Sequence, residues 1–150
     1  MLCCTFIGHR FCERLNKKRL RYEIENLIKK SVTTFFVGTQ GAFDKIVYEV
    51  LSELENEYEI NIIVVLAYLN RNRHVYYDIE KSIFPDCLTK TPVRFAISRR
   101  NDYMLKNSQY VICYLDDPFS NTANFVIKAK RQNKRIINIG DFEISRISIE

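Results

Sequence analysis

The chain has 150 residues, 47% of them hydrophobic and 27% charged, with a net charge of +5 at pH 7. That balance belongs to an ordinary globular domain and excludes a disordered tail or a fibrous repeat. Its longest apolar stretch, Ile60 to Leu69 with Asn61 inside it, falls well short of the ~20 residues that cross a bilayer, so no membrane partner is expected.

In chain order, Leu2 to Ile7 is a short apolar run ended by Gly8. It lacks the basic lead and small-residue cleavage site of a secretory signal and reads as a first strand, so a cytoplasmic location is expected. From about Cys12 to Ser31, Leu20, Ile24, Leu27 and Ile28 recur at helical spacing. Val32 to Val37 is β-branched and aromatic, the makings of a second strand. After Gly38 and Gly41, a helical stripe runs through Phe43, Ile46, Val47, Val50, Leu51 and Leu54. Ile60 to Leu66 is almost uniformly apolar, as in a parallel strand covered on both faces.

Ala67 to Pro92 mixes Tyr68, His74, Tyr76, Tyr77 and Phe84 with charges, and reads as a long loop with one helical turn around Asp78 to Ile83. Connections of that length inside a compact domain are often binding loops. A helix is expected over Thr91 to Asn107, a strand over Tyr110 to Leu115, a helix over Asn121 to Arg131 and a strand over Arg135 to Ile139. The tail after Asp141 alternates polar and apolar and suits an edge strand or a surface segment. Strands alternating with helices imply right-handed crossovers. The expected fold is therefore a single α/β domain over 1–150, a Rossmann-like three-layer sandwich around a mainly parallel five-stranded sheet.

Five cysteines, an odd number with Cys3 and Cys4 adjacent and no C-x-x-C pair, suit free thiols in a reducing compartment. No metal site or cofactor is expected from them. The charge is unevenly placed: Arg10 to Lys30 holds eight basic residues against three acidic ones, a surplus equal to that of the whole chain. Such a patch fits an anionic partner, or is simply a solvated helix face.

In open parallel sheets ligands bind beyond the carboxyl ends of the strands, so chemistry is expected from the strand-to-helix loops. The first carries Gly8, His9 and Arg10: a glycine for the sharp turn, a histidine to donate or transfer a proton, an arginine for phosphate or carboxylate. The second, Gly38-Thr39-Gln40-Gly41-Ala42-Phe43-Asp44, allows close backbone approach and offers helix-start amides to an anion. It is neither G-x-G-x-x-G nor a phosphate-binding P-loop. Asp44 is read either as an N-terminal helix charge or as a grip on ribose hydroxyls. The loop Asp116 to Thr122 supplies Ser120, Asn121 and Thr122 as caps and phosphate donors, while Asp116 and Asp117 suit an ordinary turn better than a metal site. Arg99 and Arg100 are separated by roughly 100° of helical rotation, so only one of them points at a cleft.

Together these loops resemble the SLOG superfamily, a Rossmann-like group that includes the LOG phosphoribohydrolases and a DNA-processing protein. The resemblance covers most of the chain, in the small bacterial type, and rests on four pieces in order: Phe6-Ile7-Gly8-His9-Arg10, the Gly38 to Asp44 loop, Arg100-Asn101-Asp102-Tyr103-Met104, and Ser120-Asn121-Thr122. It implies a nucleotide or nucleotide-derived ligand at the strand ends, and Arg100 matches an arginine that LOG enzymes use in catalysis. It also leaves room for a homo-oligomer. LOG enzymes carry P-G-G-x-G-T-x-x-E, whereas here Ser120 to Phe125 lacks the glycines and Phe125 stands at the glutamate position. A carboxylate would have to come from Asp44, Asp116 or Asp117.

The expectation is a binding site made of Gly8, His9, Arg10, Gly38, Thr39, Gly41, Asp44, Arg100, Asn101, Ser120, Asn121 and Thr122, with Asp44 and Arg100 as the catalytic pair if there is chemistry. Two alternatives stand beside nucleotide binding: cleavage or transfer at an N-glycosidic bond, and a single-stranded nucleic-acid-binding module using the basic patch.

Overall fold

The computed structural model describes residues 1–69 and 74–147. Ten elements follow one another: β1 (Leu2–Gly8), α1 (Lys17–Lys29), β2 (Val32–Val37), α2 (Gly41–Leu54), β3 (Asn61–Val65), β4 (Ser82–Ile83), α3 (Ala96–Lys106), β5 (Tyr110–Tyr114), α4 (Asn121–Arg131) and β6 (Arg135–Asn138). The strands form one sheet in the order β4-β3-β2-β1-β5-β6. Every neighbouring pair is parallel. This is the Rossmann-like α/β sandwich expected from the sequence, with six strands in place of five.

The sixth strand lies in the long connection. Where one helical turn is expected, a 3-10 turn at Ile79–Lys81 leads directly into β4, two residues paired with Val64 and Val65 of β3. Two residues are too few to show a period. Residues 70–73 of that connection and 148–150 of the tail lie outside the described residues. The described part of the tail forms a 3-10 turn at Ile144–Arg146, not an edge strand.

Helix boundaries shift for local reasons. α1 begins at Lys17 because the Asn16 side chain caps it, accepting from the Arg19 amide at 3.2 Å. α3 begins at Ala96, after 3-10 turns at Asp86–Leu88 and Val93–Phe95, each following a proline. The extended conformation at Pro85 and Pro92 keeps the chain from entering an α-helix earlier.

Alternation along the strands sorts the core into two layers. Cys4, Phe6, Phe35, Val37, Ile62 and Ile112 face one side and pack with Leu20, Ile24 and Leu27 of α1 and Val47, Val50 and Leu51 of α2. On the other side Cys3, Phe36 and Val65 meet Met104 of α3. Val111, Cys113 and Leu115 meet Ala123, Val126 and Ala129 of α4. All five cysteines are free thiols, Cys87 exposed and the others buried. No helix among the described residues is long and apolar enough to cross a membrane.

Candidate functional site

The strand order reverses at β1, whose neighbours are β2 on one side and β5 on the other. At such a reversal the crossovers diverge to opposite faces and leave a crevice beyond the strand ends. Here the crevice is a cleft of about 470 Å³ lined by Gly8, His9, Arg10, Gln40, Gly41, Ile97, Ser120, Asn121 and Thr122. Three loops thus converge on one space. The sequence-predicted residues Gly8, His9, Arg10, Gly41, Ser120, Asn121 and Thr122 lie on its wall.

The rim is tied together by the chain itself. His9 Nε2 accepts from the Asp116 amide at 2.8 Å, and its ring meets Tyr114 edge-on with centroids 5.9 Å apart. That bond joins the loops after β1 and β5. Asp116 Oδ1 in turn accepts from the Asp141 amide at 2.6 Å, and Asp117 Oδ1 accepts from the Phe119 amide, so both carboxylates serve turns. Gly41 has φ of +87°, and a Cβ there would stand 2.8 Å from Arg10 Cα. The left-handed turn and the close approach both require glycine.

The two helix starts at the cleft differ in what they leave open. At α2 the Gln40 amide donates to Asp44 Oδ2 at 2.8 Å and the Ala42 amide to the Arg10 carbonyl at 3.0 Å. The chain's own acceptors occupy these two donors, while the Gly41, Phe43 and Asp44 amides have no acceptor among the described residues. At α4 the Ser120 hydroxyl accepts from the Ala123 amide and its carbonyl from Asn124, leaving the amides of Asn121 and Thr122 without an acceptor among the described residues. Arg10 is exposed on the facing loop.

Beneath this rim lies a buried charged pair. Asp44 is 5% exposed and Arg100 2% exposed. Each replaces an apolar residue in a core-facing stripe: Asp44 stands ahead of Val47 and Leu51 on α2, and Arg100 between Ala96 and Met104 on α3. They flank the space over Gly38 without a direct hydrogen bond to each other, and a Cβ there would lie 2.5 Å from Arg100 Nη1 and 2.8 Å from Asp44 Oδ2. Arg100 donates through Nε to Asn101 Oδ1 at 2.9 Å and through Nη1 to the Val65 carbonyl at 3.3 Å. Its neighbour Arg99 is exposed, as the rotation between them demands.

Burial pushes the Asp44 carboxyl up from 3.8 to about 6, against the opposing pull of the Arg100 charge and the Gln40 hydrogen bond. Burial likewise pulls Arg100 down from its usual value, with Asp44 opposing. The guanidinium stays cationic at neutral pH. Such a carboxyl, near its midpoint in the physiological range beside a fixed cation, is equipped to exchange a proton or to stabilise developing positive charge.

A second cavity, of about 360 Å³, adjoins the first at Gln40, which lines both. Its wall includes Thr39, Leu66, Tyr68, Tyr76 and Tyr77. Tyr77 is buried and Tyr76 39% exposed, and both line this cavity. Burial raises the Tyr76 hydroxyl above its ordinary value, as do the charges of Asp44 and Tyr77. Gln40 and Ile97 carry no motif, whereas Tyr76, like Tyr68, Tyr77 and Phe84, is legible as an aromatic of the long loop able to stack on a base. Gln40 was legible only as the residue between two glycines.

Three of the eight basic residues of the segment have partners among the described residues of the fold. Lys17 pairs with Glu49 at 3.9 Å and Glu53 at 3.7 Å, and Arg21 with Glu25, Glu53 and Glu57. Arg19 donates to the Asn138 carbonyl at 3.1 Å. Among the described residues no group of three or more His, Cys, Asp or Glu side chains is placed to hold a metal ion.

A parallel sheet reversing at β1, with a polar cleft at the reversal over a buried Asp–Arg pair, defines a Rossmann-like α/β protein with a strand-end site. Residues 9–149 match the family model described as the YspA SLOG family. The chain belongs to that SLOG family. No curated protein matches the sequence.

Proposed function

We propose that the chain binds a nucleotide or nucleotide-derived small molecule in the cleft beyond β1 and β5. The observation that carries this reading is the convergence of Arg10 with the open Asn121 and Thr122 amides in one 470 Å³ space. A phosphate there would accept a charge-assisted hydrogen bond from Arg10 and sit in the positive field of α4, each favourable to an anion. Membership of the SLOG family and the parallel sheet fit a nucleotide-related role. Titration calorimetry with nucleoside monophosphates, ADP-ribose and cyclic nucleotides tests it. Heat saturating at one site is expected with at least one of them; no heat from folded protein with any overturns the reading.

The state of Asp44 supports a second reading, hydrolysis of an N-glycosidic bond. Water would add to the anomeric carbon as the carbon–nitrogen bond breaks, the base leaving with a proton and the carboxylate stabilising the oxocarbenium-like centre. Chromatography of reaction mixtures for released free base decides. Undiminished release by Asp44→Ala would remove that residue from the chemistry.

A further inference from the structure

The cavity beside the cleft is not needed to hold a phosphate, and its lining is of a different kind. Where the cleft offers a cation and open amides, this one offers Tyr68, Tyr76 and Leu66, with Thr39 and Gln40 at the edge it shares with the cleft. Tyr76 is also held in place. Its ring meets Tyr48 with centroids 5.8 Å apart at 66° and Tyr77 at 5.6 Å and 90°. Tyr48 is fixed in turn, its hydroxyl accepting from the Asp78 amide at 2.8 Å. Further along the same connection Lys81 is paired with Glu55, and the Leu66 amide donates to the Ile83 carbonyl at 2.9 Å. A ring that lines the cavity, is 39% exposed and is pre-positioned by its neighbours loses little freedom when something stacks on it.

Resting on the reading of the cleft as a phosphate site, we propose that this second cavity is the subsite for the ligand's planar heterocycle, with Tyr76 as its stacking surface and Thr39 and Gln40 reading its polar edge. The shared wall at Gln40 gives the ligand its path: phosphate at Arg10 and α4, sugar across Gln40 above Asp44 and Arg100, base against Tyr76. The rival space is the 580 Å³ groove between α3 and α4, which meets the cleft at Ile97 and Asn121. Among the described residues it is lined by Asp102, Asn124, Phe125 and Lys128, and its aromatic ring, Phe125, is only 5% exposed, against 39% for Tyr76.

The test titrates full-length protein with AMP, GMP, CMP, UMP and ribose 5-phosphate. Wild type is expected to bind at least one monophosphate about tenfold or more tighter than ribose 5-phosphate, the contribution of one stacked base. Tyr76→Leu should erase that margin while leaving the ribose 5-phosphate Kd within about twofold, and Tyr76→Phe should keep it. Asn124→Ala, in the rival groove, should change neither. If ribose 5-phosphate binds as tightly as every monophosphate, or if the margin survives Tyr76→Leu or is lost in Asn124→Ala, the base subsite is overturned while the phosphate site stands. If ribose 5-phosphate and the monophosphates all fail to bind, the base subsite is overturned, and the phosphate site falls with it if ADP-ribose and the cyclic nucleotides fail as well.

Discussion

Asp44 and Arg100 flank the same missing methyl group: a Cβ on Gly38 would lie 2.8 Å from Asp44 Oδ2 and 2.5 Å from Arg100 Nη1. The glycine is therefore a spacer for the pair. Gly38→Ala must displace one of two buried charged groups whose partners are fixed backbone atoms, Val65 O for Arg100 and Gln40 N for Asp44. Overpacking of this kind costs about 1–3 kcal/mol, and a thermal melt should show a fall of several degrees. A melting temperature equal to wild type would mean that the pair shifts freely.

The raised Asp44 carboxyl has a definite sign in stability. Its value is 3.8 when unperturbed and about 6 in the fold, so between those limits the native state holds a proton that the unfolded chain has released. Stability from this group is full below about pH 4, declines as pH rises toward 6 and is level above, a change on the order of 3 kcal/mol. Asp44→Asn stays neutral and can still accept from Gln40. The urea midpoint at pH 4 minus that at pH 7 should therefore be more positive in wild type than in Asp44→Asn. Parallel profiles would refute the burial account.

Arg10 is exposed and makes no side-chain ion pair with the rest of the described chain, so Arg10→Ala should leave the melting temperature within a degree or two. Nucleotide affinity should drop by about tenfold to a hundredfold, the loss of one charge-assisted contact to phosphate. Arg10→Lys should recover part of it. Equal affinity in Arg10→Ala would place the phosphate elsewhere.

Asn138 joins the ends of β5 and β6. Its Oδ1 accepts from the Leu115 and Gly140 amides, each at 2.9 Å, while Nδ2 donates to the Leu115 carbonyl at 3.1 Å and the Phe142 carbonyl at 2.6 Å. Asn138→Ala strands several backbone groups at once and should cost about 2–4 kcal/mol in denaturant unfolding. Asn138→Asp keeps the acceptor but sets a carboxylate oxygen against the Leu115 and Phe142 carbonyls, and should cost at least as much as alanine. Calorimetric unfolding of the two variants checks the order.

The layers of the fold were legible because apolar runs and helical stripes have periods that a sequence displays: β2, α2 and α4 lie where Val32 to Val37, the stripe from Phe43 and Asn121 to Arg131 place them. β4 was not, since its two residues gain their conformation from pairing with Val64 and Val65, a non-local interaction. The loops of the cleft were visible as glycines and capping residues after strands. The depth of Asp44 and Arg100 was written in the sequence too, as polar residues at core positions of otherwise apolar stripes, yet their meeting over Gly38 depends on crossovers that no spacing reveals. Gln40 carries no chemical signature at all. It joins two cavities because of where β2 ends.

The contact chain from His9 through Asp116 to Asp141 runs along the carboxyl ends of β1, β5 and β6. Its effect is to make three loops of different sequence origin behave as one frame. Asp141→Pro would remove the amide that Asp116 Oδ1 accepts, and loss of the Asp116 carboxylate would remove the acceptor, so the rim can be loosened from the tail without touching the cleft. Variation that looks remote from the site on a linear map is, in this molecule, variation in its rim.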